Sequence, residues 1–76
     1  MNGKYRAVFA NGMILEQDSL SRLKSAIKME IRYFPESAID KYGLRCLVPV
    51  YDNDSGNIVC ALDSLSGTWC RLPETL

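Results

Sequence analysis

The sequence predicts a single two-layer α+β domain, with a small antiparallel or mixed sheet of four to five strands and one long helix across one face. Its 76 residues suffice for one domain and leave no room for a second. Residues 19–34 repeat apolar side chains at the period of a helix. Short segments rich in β-branched and aromatic residues lie on both sides of that helix, separated by turn-forming residues. The predicted order of elements is β-β-α-β-β-β.

The first two strands are predicted at residues 4–10 and 13–17. Asn11 and Gly12 lie between these two apolar runs, and this pair favours a two-residue type I′ turn, which requires positive φ at both positions. We therefore expect an antiparallel hairpin.

A two-residue loop places Val8 opposite Leu15 and divides the hairpin into two apolar faces. Met13 and Leu15 then lie on a second sheet face, together with Val8 and Ala10. One helix covers only one face, and large exposed apolar patches usually mark contacts. Met13 and Leu15 are therefore candidate partner-binding residues. The alternative is that the hairpins curl, or that the tail folds over, and hide this second face.

The long helix is predicted at residues 19–34. Asp18 or Ser19 can cap its N-terminus. Pro35 ends it, because a residue that precedes proline is pushed out of the α region. The predicted core face is a narrow arc of five apolar side chains: Leu20, Leu23, Ile27, Ile31 and Phe34.

Residues 35–43 fit a short second helix or a helical turn, since proline stands at their start and glycine at their end. Pro49 cannot donate a hydrogen bond to a neighbouring strand. The strand that contains it therefore lies at a sheet edge or turns the Pro49 nitrogen outward. Residues 52–57 have the composition of a turn. The last three strands are predicted at residues 44–51, 57–63 and 68–72.

The residue types present exclude several kinds of chemistry. The chain contains no histidine, which excludes Ser-His and Cys-His nucleophiles and histidine-ligated zinc. Cys46, Cys60 and Cys70 lack CxxC spacing, and their odd number cannot form a closed disulfide framework, so we expect free thiols. The turn at 52–57 resembles the start of a calcium loop, but its glycine is fifth where an EF-hand needs it sixth. We expect no enzymatic activity, no metal, no cofactor and no small-molecule substrate.

Charge is balanced over the chain but unevenly distributed. Nine basic and nine acidic residues cancel, which argues against a polybasic nucleic-acid binder. Lys24, Lys28 and Arg32 nevertheless repeat at a spacing of four residues and form a stripe beside the core arc, here called the basic stripe. Most such runs are solvated helix faces. The functional interpretation is an electropositive ridge that binds an acidic protein surface, or nucleic acid with the help of Tyr33.

The start of the chain lacks the apolar core of a signal peptide, and no apolar run approaches the length of a membrane span. With cysteines that suggest a reducing compartment, we expect a cytoplasmic protein that makes no membrane contact.

The order of elements resembles that of small accessory proteins of phages and mobile elements. Among these are anti-CRISPR inhibitors, several of which place a helix across a small antiparallel sheet. The segments that carry the resemblance are the Asn11-Gly12 hairpin, the helix start SLSRLKSAI, the hairpin VYDNDSGNIVCAL and Gly67-Thr68-Trp69. It implies steric blockade of a larger nucleoprotein machine.

The predicted function is therefore that of a non-enzymatic protein-interaction module, in the form of a phage-type inhibitor that binds a host complex such as a CRISPR effector. One alternative is a small nucleic-acid-binding module that uses the basic stripe. Another is a homodimeric structural or accessory protein that buries its second sheet face against its own copy.

Overall fold

The structure is a computed structural model that describes residues 3–70. Within this range five strands form one antiparallel sheet, and one α-helix, α1 (Leu20–Tyr33), lies across a single face. This arrangement confirms the predicted α+β class. The order across the sheet is β2-β1-β3-β4-β5. The strands are β1 (Tyr5–Val8), β2 (Ile14–Gln17), β3 (Leu47–Asp52), β4 (Ile58–Asp63) and β5 (Thr68–Cys70). Residues 71 and 72 of the predicted last strand lie outside the described range.

Helix α1 begins after Ser19, whose side chain caps the helix by accepting a hydrogen bond from the Arg22 N–H at 3.4 Å. Leu23 and Ile27 are completely buried, as the apolar arc predicts. The expectation that Phe34 belongs to this core is wrong, since its side chain is 55% exposed. Phe34 has already left helical geometry, with φ −136° and ψ 68°, so it no longer follows the arc.

The segment after α1 forms a helical turn, one of the two alternatives predicted for residues 35–43. It is a 3₁₀ turn, Pro35–Ala38. The Asp40 carboxylate then accepts the N–H groups of Tyr42 and Leu44, at 2.8 and 3.0 Å. These backbone hydrogen bonds, that of Leu44 first, lower the pKa of Asp40. The chain therefore turns sharply here, and β3 begins only at Leu47.

The register of the first hairpin differs from the prediction by one residue. The Phe9 N–H donates to the Met13 carbonyl at 2.8 Å, which leaves residues 10–12 as a three-residue loop. Gly12, at φ 91°, supplies the only positive φ in that loop, so the turn is not type I′. Val8 consequently pairs with Ile14, and Ala7 with Leu15.

This shift reverses the faces of β2, because neighbouring residues of a strand point to opposite sides of the sheet. The expectation that Met13 and Leu15 lie on the uncovered face is therefore wrong. Both are half-buried and pack against the core under the helix. Ile14 lies on the uncovered face instead and is 53% exposed.

The strand that contains Pro49 is the centre of the sheet, which excludes the first of the two predicted arrangements, an edge position, and leaves the second, an outward-facing Pro49 nitrogen. The sheet tolerates proline there because the β1–β3 pairing is short. Its last pair is Ala7 with Val50, the residue that follows Pro49, whereas β4 pairs with β3 from Leu47 to Tyr51.

The core lies between the sheet and the helix. Helix α1 packs mainly over β1 and β2, and the 3₁₀ turn packs against α1. The buried core side chains are Ala7, Phe9, Leu23, Ile27, Ala38, Val48, Val50, Cys60 and Leu62.

Candidate interaction surfaces of the helix

The three cations of the basic stripe do not have equivalent surroundings. Lys28 and Arg32 are exposed on α1, whereas Lys24 is half-buried. The Lys24 ammonium lies 4.9 Å from the centroid of the Trp69 ring on β5, which is cation–π distance. Lys24 thus joins the helix to the edge of the sheet, and only Lys28 and Arg32 face solvent freely enough to meet a partner.

Arg32 and Tyr33 form an exposed pair at the C-terminal end of α1. The Arg32 guanidinium lies 5.9 Å from the Tyr33 ring centroid, and Tyr33 is 65% exposed. Glu30 is the only acidic residue of α1, but its carboxylate is turned to the opposite flank, where it accepts the Ser37 hydroxyl at 3.0 Å. The exposed surface around Lys28 and Arg32 therefore keeps its positive charge.

Large apolar side chains lie beside these cations on the solvent side of the helix. Met29 and Tyr33 are one turn apart, and together with Phe34 they are each more than half exposed, at 61%, 65% and 55%. They share a shallow depression of about 340 Å³ with Leu15, Ala26 and Glu30. Monomeric proteins rarely leave so many contiguous apolar side chains in water.

The cations and the apolar side chains form one continuous surface. A depression of about 270 Å³ is lined by Ser25, Lys28, Met29, Arg32 and Tyr33. We call the set Lys28, Met29, Arg32, Tyr33 and Phe34 the α1 outer face. Tyrosine, phenylalanine, methionine and arginine are the residue types enriched in protein interfaces.

Sequence reasoning found Lys28, Arg32 and Tyr33 but missed Met29 and Phe34. Met29 stands opposite the core arc on a helical wheel, so its exposure follows from the helical period. Phe34 was assigned to the core. The signal against that assignment is Pro35, which forces the preceding residue out of the helix.

A separate groove runs along the other flank of α1, between the helix and the end of β4 with the turn that follows it. Its volume is about 270 Å³. Leu62 of β4, with Ser64 and Gly67 of the turn that follows, lines one wall. Lys28, Ile31 and Arg32 line the other. We call this depression the α1–β4 groove, and Lys28 and Arg32 belong to both it and the α1 outer face.

The uncovered face of the sheet is apolar in the middle and polar at one end. Val8 and Ile14 face the same side as Tyr51 of β3 and Ile58 of β4. At the polar end the Arg6 guanidinium stacks 4.6 Å from the Tyr51 ring centroid and donates to Asn53 Oδ1 at 2.6 Å. These contacts fix the side chains of that end in place.

The surroundings of Cys46 and Cys60 do not activate their thiols. Burial raises the pKa of Cys60. Burial, followed by the charge of Asp40, raises the pKa of Cys46, whose sulfur lies 3.6 Å from Asp40 Oδ2. Over residues 3–70 no group of three or more cysteine, aspartate or glutamate side chains is arranged to hold a metal ion.

Comparison of the chain with protein-family models, curated proteins and solved structures finds no match. None of the helices in the described part of the chain has the length and apolar character needed to cross a membrane.

Proposed function

We propose that this chain is a non-enzymatic protein-interaction module whose α1 outer face binds an acidic surface of a partner protein. The observation that supports the proposal is the continuity of Met29, Tyr33 and Phe34 with the cations Lys28 and Arg32. Apolar side chains supply the desolvation energy of such an interface, and the flanking charges select the partner.

Stability alone does not account for these side chains. Met29, Tyr33 and Phe34 stand outside the core and leave most of their surface in water. An exposed apolar side chain contributes little to the free energy of folding, because hydrophobic stabilisation depends on the apolar area removed from water. Burial against a partner would remove that area. The rigid helix holds Met29 and Tyr33 one turn apart, which limits the entropy lost on binding.

The resemblance to phage-type inhibitors gives the proposal a definite mode of action. A small module without catalytic groups inhibits a larger complex by occupying a surface that the complex needs. We therefore propose steric blockade of a host complex, such as a CRISPR effector, as the outcome of binding.

Nucleic-acid binding is the second candidate function, and the Arg32–Tyr33 pair favours it. A guanidinium beside an exposed aromatic ring is an arrangement that also stacks on unpaired bases. The dependence of binding on salt separates the two functions. Phosphate contacts lose about 10³–10⁵ in affinity between 50 and 200 mM salt when six to ten are made, whereas an interface held by apolar contacts loses far less.

The test compares two tyrosines in similar settings. Tyr33 is 65% exposed with Arg32 beside it, and Tyr42 is 75% exposed with the Lys41 ammonium 5.2 Å from its ring centroid. The wild type, Tyr33→Ser and Tyr42→Ser serve as baits in bacterial lysate with and without nuclease treatment. The captured protein is then identified, purified and titrated against each bait.

We expect Tyr33→Ser to weaken the complex by about tenfold or more, as for an aromatic residue central to an interface, and Tyr42→Ser to bind like the wild type. Equal affinities for all three baits would contradict the proposal. Capture that disappears after nuclease treatment, together with steep salt dependence on purified DNA or RNA, would establish the nucleic-acid function instead.

A further inference from the structure

We infer that the α1–β4 groove binds an acidic peptide segment of the partner by taking up one aliphatic side chain. The inference rests on the proposed function and specifies the chemistry of the partner. It uses a surface that the apolar cluster of Met29, Tyr33 and Phe34 does not reach.

The size and lining of the groove match a single side chain. Its volume of about 270 Å³ is below the ~300–1,000 Å³ of small-molecule pockets. Leu62 and Ile31 line it with aliphatic carbon from opposite walls, while Ser64 and Gly67 add no bulk. The Ser64 hydroxyl is already used, since it donates to the Cys46 carbonyl at 2.8 Å. The groove therefore offers apolar contact rather than polar recognition.

The charges around the groove select an anionic segment. Lys28 and Arg32 stand on one wall, and among residues 3–70 no carboxylate lines either wall. Asp63 is adjacent in sequence, but its Oδ1 accepts the N–H groups of Leu65 and Ser66 within its own turn. Lys24 lies one helical turn before Lys28 and adds a third positive charge. A segment that carries carboxylates on both sides of an aliphatic residue matches this pattern.

The lining favours a peptide over a nucleic acid. Proteins that bind single-stranded DNA or RNA stack the bases on exposed aromatic rings. The groove itself is lined by no aromatic ring. The nearest ring on this face, that of Trp69, pairs across the strands with Leu62 and has the Lys24 ammonium 4.9 Å from its centroid. A flexible aliphatic side chain needs no such platform.

The protein carries its own reporter for the test. Trp69 is the only tryptophan of the chain, and it pairs across the strands with Leu62, which lines the groove. The probe is a short synthetic peptide of aspartate and glutamate with one central leucine and blocked ends. Its twin has glycine in place of the leucine and the same charge. We expect a saturable change in Trp69 fluorescence with the leucine peptide and about tenfold weaker binding of the twin, since the twin lacks the aliphatic side chain that the groove would bury.

Charge-reversed variants distinguish a direct contact at the groove from the effect of the protein's net charge. The double variant Lys28→Glu, Arg32→Glu is compared with Arg22→Glu, Lys41→Glu, which changes the net charge equally through exposed residues away from the groove. We expect the first pair of substitutions to lower the affinity for the leucine peptide at least tenfold and the second pair to lower it less than threefold. A third variant, Ile31→Phe, fills the groove without changing charge and should also weaken binding. Circular dichroism and thermal unfolding identify any variant that fails to fold.

Three results would overturn the inference: equal affinity for both peptides, equal loss in both charge-reversed pairs, or tighter saturable binding of an oligothymidylate than of the leucine peptide. Each leaves the α1 outer face to its own test. Ile31 lines the groove and does not belong to the α1 outer face. If the partner still depends on Tyr33 while Ile31→Phe binds it normally, the groove inference fails and the proposed function stands. If the groove binds the peptide while Tyr33→Ser leaves the affinity for the partner unchanged, the binding role of the α1 outer face fails and the peptide site stands.

Discussion

Replacement of Ile27 by alanine tests the packing of α1 on the sheet. Ile27 is completely buried at the middle of the helix, within the cluster that also holds Leu23, Val48 and Val50. Alanine is the best helix former, so the change leaves the helix intact and removes only side-chain atoms from the core. The expected loss therefore reports packing alone.

The magnitude follows from burial. Truncation of a buried isoleucine to alanine costs about 2–5 kcal/mol, and truncation to valine about 0.5–1.5 kcal/mol. A chain of 76 residues has a free energy of unfolding of about 4–11 kcal/mol at 0.05–0.15 kcal/mol per residue. Ile27→Ala therefore removes a large part of the total stability. At ~4–8 °C per kcal/mol, a loss of about 3 kcal/mol lowers Tm by roughly 12–24 °C.

Urea unfolding followed by circular dichroism and by Trp69 fluorescence measures the loss. Met29→Ala is the matched control, because Met29 stands two residues along the same helix and is 61% exposed. We expect the control to stay within about 0.5 kcal/mol of the wild type. A loss below about 0.5 kcal/mol for Ile27→Ala, or a larger loss for the Met29 control, would refute the helix orientation and with it the α1 outer face.

Two further predictions concern the other end of the sheet and the thiols. Asn53→Ala should lower the free energy of unfolding by about 1–3 kcal/mol, because the Asn53 side chain accepts from Arg6 and donates to the Gly3 carbonyl and to Glu16, at 2.6, 2.6 and 2.9 Å. Asn57→Ala in the same turn is its control in urea unfolding, and equal effects would disprove the role of Asn53. Cys46 and Cys60 have raised pKa values, so native protein at pH 8 should be alkylated at both more slowly than unfolded protein. Peptide mass spectrometry measures the two rates, and equal rates would contradict the prediction. Because folding favours the protonated thiols, their stabilising effect is complete below pH 9 and is lost as pH rises through the folded pKa.

Local patterns in the sequence predicted α1 well. The apolar period placed Leu23 and Ile27 in the core, and Ser19 before the first turn marked the N-cap. The same period set Lys24, Lys28 and Arg32 along one flank. These features depend on residues within a few positions of one another, and helix geometry relates them directly.

Strand faces were harder to predict, because each depends on a pairing with a distant segment. One extra residue in the loop after Phe9 shifted the first hairpin by one position and moved Leu15 from the uncovered face to the core. Pro49 predicted either an edge strand or an outward-facing nitrogen, and β3 proved to be central. The sheet accommodates Pro49 there because the pairing of β1 with β3 ends at Val50. Loop length and strand length leave only weak signals in a single sequence.

The sequence by itself determined the fold class, the position and phase of α1 and the cationic flank of the helix. Only the tertiary structure showed that Lys24 is held over Trp69, that Met29, Tyr33 and Phe34 form one exposed cluster, and that a groove opens between Ile31 and Leu62. The period of a helix predicts which side chains share one face of that helix, but it does not predict where a groove forms beside it. The groove depends on how far one helix extends over a five-stranded sheet, and this distance is set by packing between segments more than thirty residues apart, such as Ile31 and Leu62.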